Sequence, residues 1–370
     1  MTSLRARRLA AVLLLVPVAV AGQAATTLAR TGATFESYSF GAGLAFNRIS
    51  ELTIPISVSQ RVGSRLAIDL STAYASASVS DAGGGTITHS GLIDTDLRAT
   101  INIVPGKFVF NLVGTIPTGA TAVADTTIPL LGALATDLLG FTTPNFGSGG
   151  GLSTGFASAF RMGQNWAVGT GASYRYAASY VPVQGVNEMM PGGEIRGRLG
   201  LEGPFGAGKY FRGAFVYSMT SANDLGGGEQ SVIGDRFLAY ASVSMPAGRS
   251  HLTMYGWDMR RLRARDYDAP KTVVVPRGNL LAIGTRLDRP MGPKAVVSPL
   301  IEFRHELTGP GPSMELLGYL LRAGSDLRYH LTDRATAVLQ AQIAFGTLHD
   351  EGTSVSLVGP RISAVIEWAR

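Results

Sequence analysis

The stretch IDTDLRATINIV, Ile93 to Val104, decides the fold class. Ile93, Leu97, Ala99, Ile101 and Ile103 share one face of an extended chain. Asp94, Asp96, Arg98, Thr100 and Asn102 share the other. Side chains alternate across a strand, so a period of two marks a strand with one apolar and one polar face. The same reading applies to LAIDLSTAYASASV, where Leu66, Ile68, Leu70, Thr72 and Tyr74 line up against Asp69 and Ser71. It recurs along the chain. Trp166, Val168, Ala172, Tyr174 and Tyr176 oppose Arg175, and Ile195, Leu199 and Leu201 oppose Glu194, Arg196 and Arg198. Val297, Ile301, Phe303 and Leu307 oppose Glu302, Arg304 and Glu306, and near the end Ile362, Ala364, Ile366 and Trp368 oppose Arg361, Ser363 and Glu367.

A soluble β-sandwich alternates too, with apolar residues inward. Two features separate the cases. The face opposite the apolar rows is often Gly, Ser, Ala or Thr rather than Lys and Glu. Aromatics also gather near strand ends, at Tyr74, Phe108, Phe110, Trp166, Tyr174, Tyr176, Tyr210, Phe211, Tyr255, Trp257 and Trp368. An apolar belt with aromatic girdles predicts an all-β chain folded as a transmembrane antiparallel up-and-down β-barrel. The connections agree. Short turns at 62–64, 105–107, 161–165, 204–209, 246–250, 288–294 and 332–333 alternate with longer stretches such as 80–90, 117–150, 177–192, 221–231 and 264–278. The count comes to about 12 to 16 strands, with 16 the best fit, because such barrels favour even numbers. The first pair is expected at 35–46 and 52–59, joined by a tight turn at Asn47 to Ser50.

Composition sets further bounds. The chain has 370 residues, only 16% charged, with 47 Gly and no Cys. Disulfides, thiol chemistry and Cys-ligated metals are excluded. Arg5, Arg7 and Arg8, an apolar run from Leu9 to Ala21, and small residues at Gly22 and Ala24 read as a secretory signal peptide over 1–24. The remainder, 25–370, reads as one barrel domain. The formal charge of +6 falls to about +3 once those three arginines leave, too little to point to nucleic acid.

Enzymatic motifs are scarce. The five His are scattered, with no HExxH and no GxSxG, so no enzyme, metal or cofactor is expected. GTIPTGAT, Gly114 to Thr121, has phosphate-loop spacing, but Ala120 stands where the Lys belongs. Pro117 instead marks where a strand stops pairing.

The charged rows are the candidate site. Asp94, Asp96 and Arg98 lie two apart on one strand, as do Glu194, Arg196 and Arg198, and Glu302, Arg304 and Glu306. Arg175 and Arg212 are assigned to the same side, with Asp258, Arg286 and Arg361. A cation facing lipid at mid-membrane costs about 2–4 kcal/mol, so these rows belong inside. They serve either as a salt-bridge brace or as a ladder for a polar or anionic solute. The 117–150 loop has an apolar centre with Leu130, Leu131, Leu134, Leu138 and Phe141. Such a segment plugs the lumen, packs on the rim or captures a greasy ligand, with packing the expectation. Arg260, Arg261, Arg263 and Arg265 form a basic rim suited to lipopolysaccharide phosphates.

Three segments carry a family resemblance. SGLIDTDLRATINIV, FVFNLVGTIPTGA and FGSGGGLSTGFASAFRMGQNWAVGTGASYRY are similar to the MetA-pathway phenol-degradation family of outer-membrane proteins, over roughly Leu52 to Tyr176. Ile93 stands where that family commonly has Gly, and the loop after Pro117 is long. The resemblance implies an outer-membrane barrel related to hydrophobic-solute and fatty-acid transporters. It implies passive uptake of small hydrophobic or aromatic solutes. The expected partners are outer-membrane lipid, lipopolysaccharide and the barrel-assembly machinery, whose aromatic end signal falls at Trp368. The competing expectation is a structural or adhesin-like barrel with a closed lumen.

Overall fold

The computed structural model describes residues 27–120, 122–265, 272–309, 314–350 and 352–370. The expected signal peptide lies outside them. The chain opens with β1 (Thr27–Phe40), β2 (Phe46–Val62), β3 (Leu66–Asp81), β4 (Thr86–Leu92), β5 (Thr95–Val104) and β6 (Phe108–Ile116). A helix, α1 (Ile128–Leu134), follows in the long loop. Then come β7 (Gly151–Met162), β8 (Trp166–Ala177), β9 (Glu194–Pro204), β10 (Tyr210–Thr220), β11 (Asn223–Gly226) and β12 (Glu229–Val232). The last part holds β13 (Arg236–Ala247), β14 (Ser250–Arg261), β15 (Thr272–Val274), β16 (Arg277–Pro290), β17 (Ala295–Gly309), β18 (Glu315–His330), β19 (Ala335–Asp350) and β20 (Thr353–Ala369).

Each barrel strand pairs antiparallel with its chain neighbours, and β1 pairs with both β2 and β20, which closes the sheet. β4 and β5 both pair with β3, at Tyr74↔Leu92 and Ser71↔Asp96, and so form one strand broken at Ile93–Asp94. Counted that way, the described residues form a closed barrel of sixteen strands. Closure pairs the backbone groups between strands and leaves no edge, as a lipid core demands. No helix of the described residues is long and apolar enough to cross a membrane.

The outward rows carry Leu97, Phe156, Leu199, Phe215, Ile283, Phe303, Ile343 and Ile366, all exposed. This continuous apolar exterior, on a closed barrel, places the protein in the outer membrane. Trp368 lies on the same outward row, between Ala29 and Ala335. Substituting Leu199, 55% exposed in the middle of β9, by Arg sets a charge against lipid. The expected cost is about 2–4 kcal/mol, read as a lower urea midpoint for folding into lipid vesicles. An unchanged midpoint would place this wall outside the hydrocarbon.

The start of β1 and the end of β20 sit at the end with short turns, 63–65, 105–107, 163–165, 205–209, 248–249, 291–294 and 331–334. The opposite end carries the long connections. There β11, β12 and β15 form a small separate sheet, which Met190↔Asp224 ties to the 178–193 loop.

Three expectations need correction. The first loop-end turn lies at 41–45, not at Asn47–Ser50. Gly43 takes a positive φ of 123° there, and Asn47 belongs to β2. Asp258 faces outward near the rim, where it meets Arg260 and Asn279. The register of β14 puts its odd-numbered neighbours inside. Tyr255 and Trp257 therefore face the lumen and are not girdle aromatics, as their contacts with Glu302 and Arg304 confirm.

Candidate functional site

The lumen divides into a filled side and an open side. The filler is the 117–150 loop. Pro129 lies in the first turn of α1, where a missing N–H costs nothing. The helix and the turn after it bury Leu130, Leu134, Leu138, Leu139, Phe141 and Phe146, with Leu131 packed alongside. Their partners are inward residues of the wall, among them Tyr38, Ile49, Ala75, Ala77, Leu320, Leu348 and Val355. Tyr38 meets Phe141 edge-on, with ring centroids 5.4 Å apart. Burial of this apolar face drives the loop inward. The segment thus packs against the inner wall of the barrel, as a plug.

Charged groups lock the plug to the wall. Arg322 Nη2 lies 2.7 Å from Tyr38 Oη, 3.1 Å from the carbonyl of Leu139 and 3.2 Å from Glu36 Oε1. Tyr38 donates to Glu36 Oε1 at 2.7 Å, and Arg361 Nη1 lies 3.3 Å from Glu36 Oε2. Glu36 is 1% exposed and Arg322 6%. Glu51 is buried nearby, hydrogen-bonded by Thr53. Glu302, Arg304 and Glu306 join this side. Arg304 Nε donates to Glu302 Oε1 at 2.8 Å, its Nη1 reaches the Leu138 carbonyl at 3.3 Å, and it lies over the Trp257 ring. Glu306 is buried beside Asp137 and Arg261. This row holds the plug.

The open side holds the other charges. A cavity of about 800 Å³ is lined by Asp94, Asp96, Arg98, Arg175, Glu194, Arg196 and Arg198. Arg196 Nε donates to Glu194 Oε1 at 2.9 Å, and Thr115 donates to Asp96 at 2.7 Å. Arg212 stands apart at the terminal end, paired with Glu202 at 3.0 Å and largely exposed.

Asp94 has a separate task. Its Oδ1 accepts the Gly119 N–H at 3.1 Å, and its Oδ2 accepts the N–H and hydroxyl of Ser148 at 2.6 and 2.9 Å. Thr118 donates to the Ile93 carbonyl at 2.8 Å. One carboxylate therefore pins both stems of the plug at the break between β4 and β5. The stems cross closely. A Cβ on Gly119 would collide with the Phe146 carbonyl oxygen, and one on Gly147 would fall 2.5 Å from that of Ala120. Tyr180, from the neighbouring loop, packs over Gly149. Burial, with the Asp94 charge nearby, holds its phenol above the ordinary value, so it stays a proton donor.

No family model matches the chain, and no curated protein matches it. Among solved structures it is similar to OccK11 (OpdR) of Pseudomonas aeruginosa, with 13% identity and a TM-score of 0.47, over 94% of this chain and 96% of that one. OpdK of the same organism, solved with vanillate, gives 9% and 0.44, over 94% and 99%. OmpT of Vibrio cholerae gives 12% and 0.43, over 94% and 99%. At these identities and TM-scores nothing about a solute transfers to the present chain.

Sequence reasoning missed Glu36, Tyr38, Glu51 and Arg322. The signal was present for one of them. Arg322 sits inside YLLRAG, an apolar strand in which a cation has only the lumen to face.

Proposed function

We propose that this protein is an outer-membrane channel through which small solutes diffuse passively past a lumen plug. The observation that supports it is the uneven filling of the barrel. The plug occupies one side and leaves the charged cavity of about 800 Å³ on the other. A barrel serving only as a scaffold or adhesin needs no such space. The inward residues Val113, Ala157, Ala214 and Val216 line that cavity and give flat or apolar solutes a surface to slide along. This supports small hydrophobic or aromatic molecules as the solute class. Membership of the phenol-degradation family is part of the same reading. Its motif segments, around Asp94, Pro117–Gly119 and Gly147–Ser148, meet in the single clamp at Asp94. Lipopolysaccharide at the basic rim and the assembly machinery at Trp368 remain the expected envelope partners.

Planar-bilayer recording tests the reading. The refolded chain is expected to show small single-channel currents, and deletion of residues 122–145 to raise them severalfold. A barrel that stays electrically silent even after the deletion is a closed scaffold, and the channel reading falls.

A further inference from the structure

Four arginines, Arg98, Arg175, Arg196 and Arg198, line the open cavity against three carboxylates, Asp94, Asp96 and Glu194. Asp94 is engaged by Gly119 and Ser148, Asp96 by Thr115, and Glu194 by Arg196. Arg98, Arg175 and Arg198 form no ion pair among the described residues. Arg198 lies near the like charges of Arg196 and Arg98 and near one carboxylate, Glu194, that Arg196 already holds. Guanidinium groups cannot shed their charge, so the lining keeps one more cation than anion, and three of its arginines have a free fork to offer an anion.

The register shows what lies between them. From β5 to β9 the inward positions of the intervening strands include Gly155, Gly169, Gly171, Ser153 and Ser173. All five line the cavity, with Val113 and Val216 at its sides. A trough with a floor of bare backbone and a rim of arginines accepts a flat body with one charged end. Arginine's planar fork matches a carboxylate in two parallel hydrogen bonds.

We propose that this trough is a binding site for a small organic carboxylate, its charged end held by Arg98, Arg175 and Arg198 and its flat body laid on the glycine floor. The proposal rests on the channel reading and names the solute class within it.

Benzoate is the probe and benzamide its neutral counterpart. In a bilayer under a KCl gradient, the full mature chain is expected to give an anion-selective reversal potential. Benzoate is expected to block the chloride current where benzamide does not. Arg98→Gln with Arg198→Gln is expected to weaken that block roughly tenfold or more, since each lost charge-assisted pair is a factor of this order. Titration of benzoate into the detergent-folded barrel, followed by calorimetry, measures binding without conduction. Heat-modifiability on a gel shows that the variant still folds. Conductance with cation selectivity, equal block by both probes, or binding unchanged in the double variant would overturn the proposal while leaving the channel intact. Benzoate binding to a silent barrel would leave the site standing and remove the channel.

Discussion

Arg322→Ala is expected to unseat the plug at a cost of about 3–5 kcal/mol, the usual penalty for removing one partner of a buried ion pair. The geometry concentrates the loss. One guanidinium nitrogen serves Glu36, Tyr38 and the Leu139 carbonyl together. Without it Glu36 keeps Arg361 and the Tyr38 hydroxyl, and the plug loses its polar tie to β18. The readout is limited proteolysis of the folded barrel in vesicles. Cleavage within 122–145 should appear in the variant and not in the parent. Glu36→Gln with Arg322→Met removes both charges and should restore most of the protection, because an apolar replacement of a buried pair is often close to neutral. Equal cleavage in single and double variants would mean that the apolar packing alone seats the plug.

Asp94→Ala is expected to release the stems instead of the plug body. Two backbone N–H groups and one hydroxyl lose their acceptor. Hydrogen bonds to a charged group contribute about 1.5–3 kcal/mol each. Hydrogen exchange at the Gly119 and Ser148 amides should rise by orders of magnitude, while amides of α1 stay protected. Gly119→Ala reaches the same end by another route, through the clash with the Phe146 carbonyl. Should both amides keep their protection in Asp94→Ala, the clamp does not hold the stems.

The barrel was legible because the period-two pattern is local. Each strand declares its two faces within about ten residues, and turn length orders the ends. The strand count and the outward rows followed from that. The plug was half legible. Leu130, Leu134 and Leu138 announced an apolar face, but what covered it lay far away in the chain, at Tyr38 and Leu320. Charged rows were legible as inward, not by task. Arg196 and Arg304 have the same spacing to a carboxylate on their own strands, yet one lines an open cavity and the other holds a carbonyl of the plug. The difference is made by a segment 166 residues distant in sequence. Asp258 failed for a simpler reason: β14 turns two aromatics and Met259 inward, against the usual partition.

Chain order gives the lock a meaning in time. Glu36 and Tyr38 belong to the first strand, the plug to the middle of the chain, and Arg322 to the third strand from the end. These groups come within reach of one another only when the first and last strands meet. An unfinished barrel therefore has its plug held at the Asp94 clamp but not by the Arg322 lock, which closes only with the wall. Protease resistance within 122–145 should then lag behind sheet formation during folding, a clock that reports completion of the wall.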